Sequence, residues 1–313
     1  MRAVPIDVPF YASLLETCSA RRDISSLQKA HARILTLGLS PHDFLRTKLS
    51  AAYARCARAR EAHTIFARAN IHPTFLFNSI IRCYASLNLH RDSINLYRLM
   101  HFHAKPPDTR TISATLRSCA ALPSLPLGRQ IHASALSLGL VPSAEAAVTN
   151  SLISMYAKCG DLSSARRLFD DMSERTLVTY TAMISGMSMH GMAEEGLRLF
   201  DEAVAEFGEA VDGAAFAAAL GCCARGGLVG EGRRVWEGMG RRGVKKGVEH
   251  YTCMVDLLGR RGHVEEAEAL IVEGMVMEEG VEPDEAMWAA LLGACRVHGR
   301  VDVAERVAQR IYG

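Results

Sequence analysis

The 313-residue sequence has few aromatic residues, few prolines and no long apolar run. Phe, Trp and Tyr make up 6% of the chain and only 10 residues are proline, a composition that favours helices over sheets. The best apolar stretch, AAFAAALGCCA at 214–224, has 11 residues, whereas a bilayer-spanning helix needs roughly 18–20. The sequence therefore predicts an all-α protein that makes no membrane contact.

The cysteines lack the spacing of a metal site or a disulfide framework. The start, MRAVPIDVPFYASLLETC, has one Arg and an early Asp, so no clear signal or transit peptide is expected there. The chain has 9 cysteines, an odd number, and no two follow the CxxC pattern, which argues against paired thiols and zinc ribbons. We expect Cys18, Cys119, Cys223 and Cys295 to pack as small core residues, because they recur at one position of the repeat described next.

Charge is nearly balanced overall but unevenly distributed. The formal net charge is +2, yet residues 1–70 have 11 Lys or Arg against 5 Asp or Glu, and residues 248–313 have 6 against 13. A polyanion is expected to prefer the earlier part of the chain and to avoid the end.

One pattern recurs along the whole chain at intervals of 31 to 37 residues. Apolar positions such as Leu49, Ile80 and Leu152 mark a first helix, and a second apolar helix follows each of them. After a short segment at 1–7, this pattern predicts repeats at 8–42, 43–73, 74–108, 109–145, 146–176, 177–212, 213–247 and 248–284, with a partial repeat at 285–313.

Each repeat has the design of a helical hairpin. In 146–176, Gly160 permits the turn and Asp161 is placed to cap the second helix, whose apolar residues recur at three- and four-residue steps. A hairpin of this size cannot bury its own apolar face, so neighbouring hairpins must stack. The predicted fold is therefore a right-handed α-solenoid of about eight hairpins plus a partial ninth.

Several strings resemble pentatricopeptide repeats, including FNSIIRCYASLNLHRDSINLYRLM (77–100), YAKCGDLSSARRLFDDM (156–172) and HYTCMVDLLGRRGHVEEAEALI (250–271). More narrowly, the chain resembles the plant organellar subclass in which P, L and S repeats alternate. The resemblance implies P repeats at 74–108 and 177–212, an L repeat at 109–145 with L-like repeats at 8–42 and 213–247, and S repeats at 43–73 and 146–176 with an S-like repeat at 248–284. WAALLGACRVHGRVDVAE (288–305) is similar to the start of the C-terminal E motif of that subclass, which is truncated here.

The resemblance implies binding of single-stranded RNA, with roughly one nucleotide addressed by each repeat. Members of the family read bases with the fifth residue of a repeat and with its last residue. The fifth positions here are Ala12, Thr47, Asn78, Ser113, Asn150, Thr181, Ala217, Thr252 and Ala289. The paired last residues are Asp108 for Asn78, Thr176 for Asn150, Asp212 for Thr181 and Asp284 for Thr252.

These pairs imply a short RNA word. By resemblance, Asn with Asp favours uracil, Thr with Asp favours guanine, and Asn with Thr leans to a pyrimidine. Residues 74–212 would then read 5′-U-any-pyrimidine-G. The competing interpretation is that Asn, Ser and Thr near a helix start are N-caps. Asp108 and Asp212 favour base reading, because capping at the fifth position gives no reason for them.

An enzyme is not expected. His263 and Glu265 match the HxE of zinc-dependent cytidine deaminases, but no CxxC follows them. We therefore expect no catalytic residue, no metal site and no cofactor.

The resemblance implies site recognition in C-to-U editing of transcripts of the mitochondrion, or alternatively the chloroplast. A DYW-type deaminase or other editing factor would then act in trans through residues 248–313. Two alternatives remain open at this point: organellar RNA binding in splicing, stability or translation without editing, and a helical-repeat scaffold that binds proteins. The 31-to-37-residue alternation argues against the second, since tetratricopeptide scaffolds keep a period near 34.

Overall fold

The computed structural model describes residues 8–141, 146–278 and 282–312. These residues form eighteen α-helices and no strand, so the all-α prediction is confirmed. The chain divides into two compact units, an N-terminal unit (Met1–Met155) and a C-terminal unit (Tyr156–Gly313).

The N-terminal unit consists of paired helices, each pair joined by a short turn. The helices are α1 (Val8–Ala20), α2 (Ile24–Thr36), α3 (Asp43–Arg55), α4 (Ala59–Ala67), α5 (Thr74–Ser86), α6 (His90–Phe102), α7 (Thr109–Ala121) and α8 (Leu125–Ser137), followed by α9 (Ala147–Lys158), whose last turn enters the C-terminal unit.

The C-terminal unit continues the same alternation. Its helices are α10 (Leu162–Asp170), α11 (Leu177–Met189), α12 (Ala193–Phe207) with a 3₁₀ turn (Gly208–Ala210), α13 (Gly213–Gly226), α14 (Val229–Arg241), α15 (Val248–Arg260), α16 (Val264–Ala269) with a π-helical continuation (Leu270–Glu278), α17 (Glu285–Val297) and α18 (Val301–Tyr312).

Turn and cap chemistry explains why the helices break where they do. Gly160 has φ +89°, a left-handed conformation that glycine adopts without a side-chain clash. Asp161 then accepts a hydrogen bond of 3.1 Å from the Ser164 amide. The sequence prediction that Asp161 caps the second helix is therefore confirmed.

First helices stack on first helices within each unit. In the N-terminal unit α1 packs on α3, α3 on α5 and α5 on α7, and in the C-terminal unit α11 packs on α13, α13 on α15 and α15 on α17. Phe77 and Phe216 on these first helices are fully buried, and their rings contact Phe66 on α4 and Phe200 on α12, which are second helices. Each hairpin thus supplies the core of its neighbour, as repeat architectures require.

The recurring cysteines lie in this core. Cys18, Cys119, Cys223 and Cys295 are all buried, and none of the nine cysteines, all of which lie in the described ranges, forms a disulfide. Burial raises the pKa of the Cys223 thiol to about 12, because desolvation penalises the thiolate. The prediction that these four residues serve packing is confirmed.

Within the described ranges, no helix combines the length and the apolar character that a membrane crossing needs.

Candidate nucleic-acid interface

The fifth-position residues lie inside the first helices, about one turn after the helix start. Thr47 is on α3, Asn78 on α5, Ser113 on α7, Asn150 on α9, Thr181 on α11 and Thr252 on α15. None of the six is an N-cap, because each helix already begins three or four residues earlier. The capping interpretation of the fifth position is therefore wrong.

Three fifth-position side chains have buried polar atoms without a partner. They are Oδ1 of Asn78, Oγ of Ser113 and Oδ1 of Asn150. The side chains of Asn78 and Asn150 are buried, with 5% and 8% of the residue exposed. Most buried polar groups in folded proteins have a hydrogen-bond partner, so three unsatisfied atoms at one recurring position indicate hydrogen-bonding capacity that the free chain leaves unused.

The threonine hydroxyls at the same position act as hydrogen-bond donors within their own helices. The hydroxyl of Thr47 donates to the Phe44 carbonyl at 2.9 Å, that of Thr181 to Leu177 at 2.9 Å and that of Thr252 to Val248 at 2.8 Å. A hydroxyl that donates within its helix still has lone pairs, so these residues offer an acceptor to a ligand.

The last-position residues are the true N-caps. Asp108 accepts from the Thr111 amide at 2.7 Å, Asp212 from Ala215 at 3.0 Å and Asp284 from Met287 at 2.8 Å, and Thr176 forms a capping box with Thr179. All four capping residues are exposed. The sequence argument that helix capping gives no reason for Asp108 and Asp212 is wrong, because each residue caps the helix that follows it.

The capping hydrogen bond uses only one carboxylate oxygen of each aspartate. In Asp108 the cap bond goes to Oδ1, whereas Oδ2 lies 4.0 Å from the Arg82 guanidinium. In Asp212 and Asp284 the cap bond likewise goes to Oδ1. A carboxylate has lone pairs on both oxygens, so these residues cap a helix and still present an acceptor.

Three residues that sequence reasoning missed lie beside Thr47 and Asn78. Phe44 and Phe75 are 48% and 42% exposed, and Lys48 Nζ lies 5.6 Å from one ring centroid and 5.7 Å from the other. Lys48 also forms an ion pair with Glu16, so the two exposed aromatic faces, which suit stacking of bases, are the main binding feature here. The sequence contained a pattern that could have identified the two phenylalanines, because both occupy the second position of consecutive predicted repeats.

A cavity of about 570 Å³ opens beside Thr181 in the C-terminal unit. Its walls include Ser185, Ala217, Arg225 and Glu249, from α11, α13 and α15. Arg225 is exposed, and no ion pair of this residue occurs within the described ranges. The cavity therefore combines small walls with one guanidinium and one carboxylate, groups that can contact a phosphate and the N–H groups of a base.

The basic stretch on and after α14, residues 233–246, is partly engaged with protein groups. Arg233 binds Glu266, Arg234 binds Asp201, and Lys246 lies 4.6 Å from the Trp236 ring centroid. These three cations are therefore held by protein groups on and around the second helix of the hairpin.

The HxE match has a structural explanation. His263 is the residue that precedes α16, and Glu265 forms an ion pair with Arg300 that lowers the pKa of its carboxyl group. No cluster of three or more His, Cys, Asp or Glu side chains in the described part of the chain could hold a metal ion.

The paired helices and the recurring polar positions define a helical-repeat protein. Residues 75–103, 148–177, 178–206 and 249–274 match the family described as PPR repeat. The chain is therefore a pentatricopeptide repeat protein.

Relatives of known name agree with this assignment. The chloroplastic pentatricopeptide repeat-containing protein CRR2 of Arabidopsis thaliana is 34% identical over 96% of this chain and 46% of its own length. A putative mitochondrial pentatricopeptide repeat-containing protein of the same plant is 36% identical over 96% of this chain and 47% of its own length. The chain thus spans about half the length of these curated relatives.

A solved structure shares the fold. The pentatricopeptide repeat protein PPR10, crystallised in complex with an 18-nt psaJ RNA element, superposes with a TM-score of 0.73 at 17% identity, over 95% of this chain and 44% of PPR10. The predicted α-solenoid of stacked hairpins is confirmed by this similarity.

Proposed function

We propose that this chain binds single-stranded RNA with sequence specificity. The observation on which the proposal rests is the recurrence of unpartnered buried polar atoms at Asn78, Ser113 and Asn150. An unsatisfied buried acceptor costs about 1–3 kcal/mol, so a base edge that reaches such an atom gains affinity from the bond it forms. Because the position recurs in consecutive hairpins, the ligand should also be repetitive, as a polynucleotide is.

The base-reading pairs are Asn78 with Asp108 for uracil, Asn150 with Thr176 for a pyrimidine and Thr181 with Asp212 for guanine. Ser113 adds no base preference, while Thr47 and the pair of Thr252 with Asp284 extend the series on either side. Support for the pairs comes from the acceptors that remain open on these side chains. The repeat boundaries predicted from the sequence, with their P, L and S classes, belong to this proposal.

Affinity that does not depend on sequence would come from cations and aromatic faces. Lys48 lies between the exposed rings of Phe44 and Phe75, and Arg225 lines the cavity beside Thr181. Stacking on an aromatic side chain contributes about 1–3 kcal/mol per base, and each phosphate contact weakens as salt rises.

In the cell, the proposed role is site recognition for C-to-U editing of organellar transcripts. The relatives are named as chloroplastic and mitochondrial proteins, and we favour the mitochondrion. A DYW-type deaminase would supply the chemistry in trans, by docking on residues 248–313. Glu265, Glu266 and Glu268 of that segment are engaged in ion pairs within the unit, so the docking surface would use other acidic residues there.

A gel-shift titration at fixed salt tests the binding proposal. The probe is a single-stranded RNA containing 5′-U-N-C-G, with U and G changed one at a time. Each change should weaken binding by about 1–3 kcal/mol, the scale of base-edge contacts in other nucleic-acid complexes. Equal binding of all probes, or none, would contradict the proposal and would favour a protein-binding scaffold instead.

A further inference from the structure

The repeat at 213–247 has no polar side chain at either proposed base-reading position. Its fifth residue is Ala217 and its last residue is Gly247. Yet Ala217 lines the cavity of about 570 Å³ that also contains Thr181. If this repeat discriminates among bases, a residue from another position must supply the hydrogen bonds.

Glu249 places a carboxylate where the missing last-position side chain would be. A Cβ atom built on Gly247 would lie 2.8 Å from Oε2 and 3.0 Å from Oε1 of Glu249. The Glu249 side chain lines the same cavity as Ala217 and is 64% exposed. The carboxylate thus occupies the space that an aspartate fills at the end of the two P repeats, and a ligand can reach it.

Helix capping does not require this carboxylate. The Gly247 amide donates to Nδ1 of His250 at 2.9 Å, and Nε2 of His250 lies 2.8 Å from the Gly213 carbonyl oxygen. His250 is buried and holds the start of α15 in place of a cap side chain. Oε1 of Glu249 is 3.7 Å from the same Nδ1, which accepts the hydrogen bond of the Gly247 amide and so does not donate to the carboxylate.

We propose that Glu249 is a specificity-determining residue that makes the repeat at 213–247 select guanine. The inference rests on the proposed RNA binding. Guanine presents an imino and an amino N–H side by side, and a carboxylate accepts both, whereas adenine, cytosine and uracil each offer a donor at one site only. The small walls formed by Ala214, Ala217 and Gly221 leave room for a purine.

The alternative role of Glu249 is electrostatic support of the helix. An acidic residue in the first turn interacts favourably with the helix dipole. Glu285 has that same role at the start of α17 and does not line the cavity. Glu285→Gln is therefore a matched control for Glu249→Gln, because both lose a first-turn charge and only Glu249 faces the ligand.

The test is a gel-shift series on 5′-U-N-C-G-X with each base at X. The wild-type chain and Glu285→Gln should bind the probe with X = G about tenfold more tightly than the other three, and Glu249→Gln should bind all four equally. The double variant Gly247→Asp, Glu249→Ala should recover the guanine preference, because φ at Gly247 is −103°, a value that aspartate adopts without strain.

Each outcome separates the two proposals. If U and G at the first and fourth bases are read but X is not, the role of Glu249 is wrong and RNA binding stands. A guanine preference that survives Glu249→Gln, or an equal change in affinity for all four probes, also overturns it. If no base of the word is read, the proposed function fails and the inference fails with it.

Discussion

In the N-terminal unit, second helices are joined to the next hairpin by hydrogen bonds between histidine and tyrosine, whereas in the C-terminal unit successive second helices are joined by ion pairs. The Tyr53 hydroxyl lies 3.0 Å from Nδ1 of His31, and the Tyr84 hydroxyl lies 2.7 Å from Nδ1 of His63. The C-terminal unit instead has charged pairs between successive second helices, namely Asp201–Arg234, Arg233–Glu266 and Glu268–Arg306.

This difference concerns polar contacts of the second helices and not the hydrophobic packing. Both units bury aromatic side chains of their first helices, such as Phe77 and Phe216, so hydrophobic packing is the shared source of stability. The contacts made by the second helices are weakened by different conditions. Acid can protonate the histidines of the N-terminal unit, whereas salt screens the exposed ion pairs of the C-terminal unit. The two units should therefore respond alike to core mutations and differently to changes of solvent.

Core truncation should produce the largest effect, and should do so in either unit. Phe77 and Phe216 are 0% and 1% exposed, and replacement by Ala should cost about 3–5 kcal/mol. Because repeats contact only their neighbours, hydrogen exchange should accelerate around α5 in Phe77→Ala and around α13 in Phe216→Ala. Uniform acceleration over both units in either variant would contradict this local account.

Acid should weaken the N-terminal unit through His31. Burial lowers the pKa of His31 below its usual value of 6.5, because desolvation disfavours the imidazolium. The folded state then binds fewer protons than the unfolded state, so this contribution to stability is present above about pH 6.5 and is lost as the pH falls through the folded pKa.

Hydrogen exchange of α2 and α3 at pH 7.5 and 5.5, corrected for intrinsic rates, measures this loss. His31→Gln should reduce the difference between the two pH values, because the titrating group is gone. An unchanged pH response in that variant would show that other groups cause it.

Salt should have the smallest effect, and at the second helices it should act in the C-terminal unit, where these helices are joined by ion pairs. Arg234, whose side chain is 44% exposed, binds Asp201 on α12 and Glu231 on its own helix. Arg234→Gln should cost less than about 1 kcal/mol, as exposed pairs do, and the cost should vanish near 1 M salt, where screening is nearly complete. Denaturant titration at low and high salt provides the measurement, and a cost that persists at 1 M would mean that Arg234 acts through packing.

Periodicity in the sequence was sufficient to predict the helical hairpins, the cap at Asp161 and the packed cysteines. These features depend on residues close together in the chain or on a spacing that recurs. The repeat boundaries and the base-reading pairs remain predictions.

The capping role of Asp108 and Asp212 could not be predicted, because the sequence placed them at the end of a repeat without fixing where the next helix begins. The ion pairs between second helices could not be predicted from the sequence either. Arg234 and Asp201 are 33 residues apart, and such partners become neighbours only when the stacking of the hairpins is known. The position of the Glu249 carboxylate likewise depends on the backbone around Gly247.

The central claim is that Asn78 and Asp108 together select one base, and exchanging Asn78 for Thr tests it most directly. Asn78→Thr turns the pair into the combination found at Thr181 and Asp212, so a gel-shift titration should show the preferred first base of 5′-U-N-C-G changing from U to G. The preference for G at the fourth base should stay as in the wild type. A variant that still prefers U at the first base, or that loses affinity equally for every first base, would contradict the account.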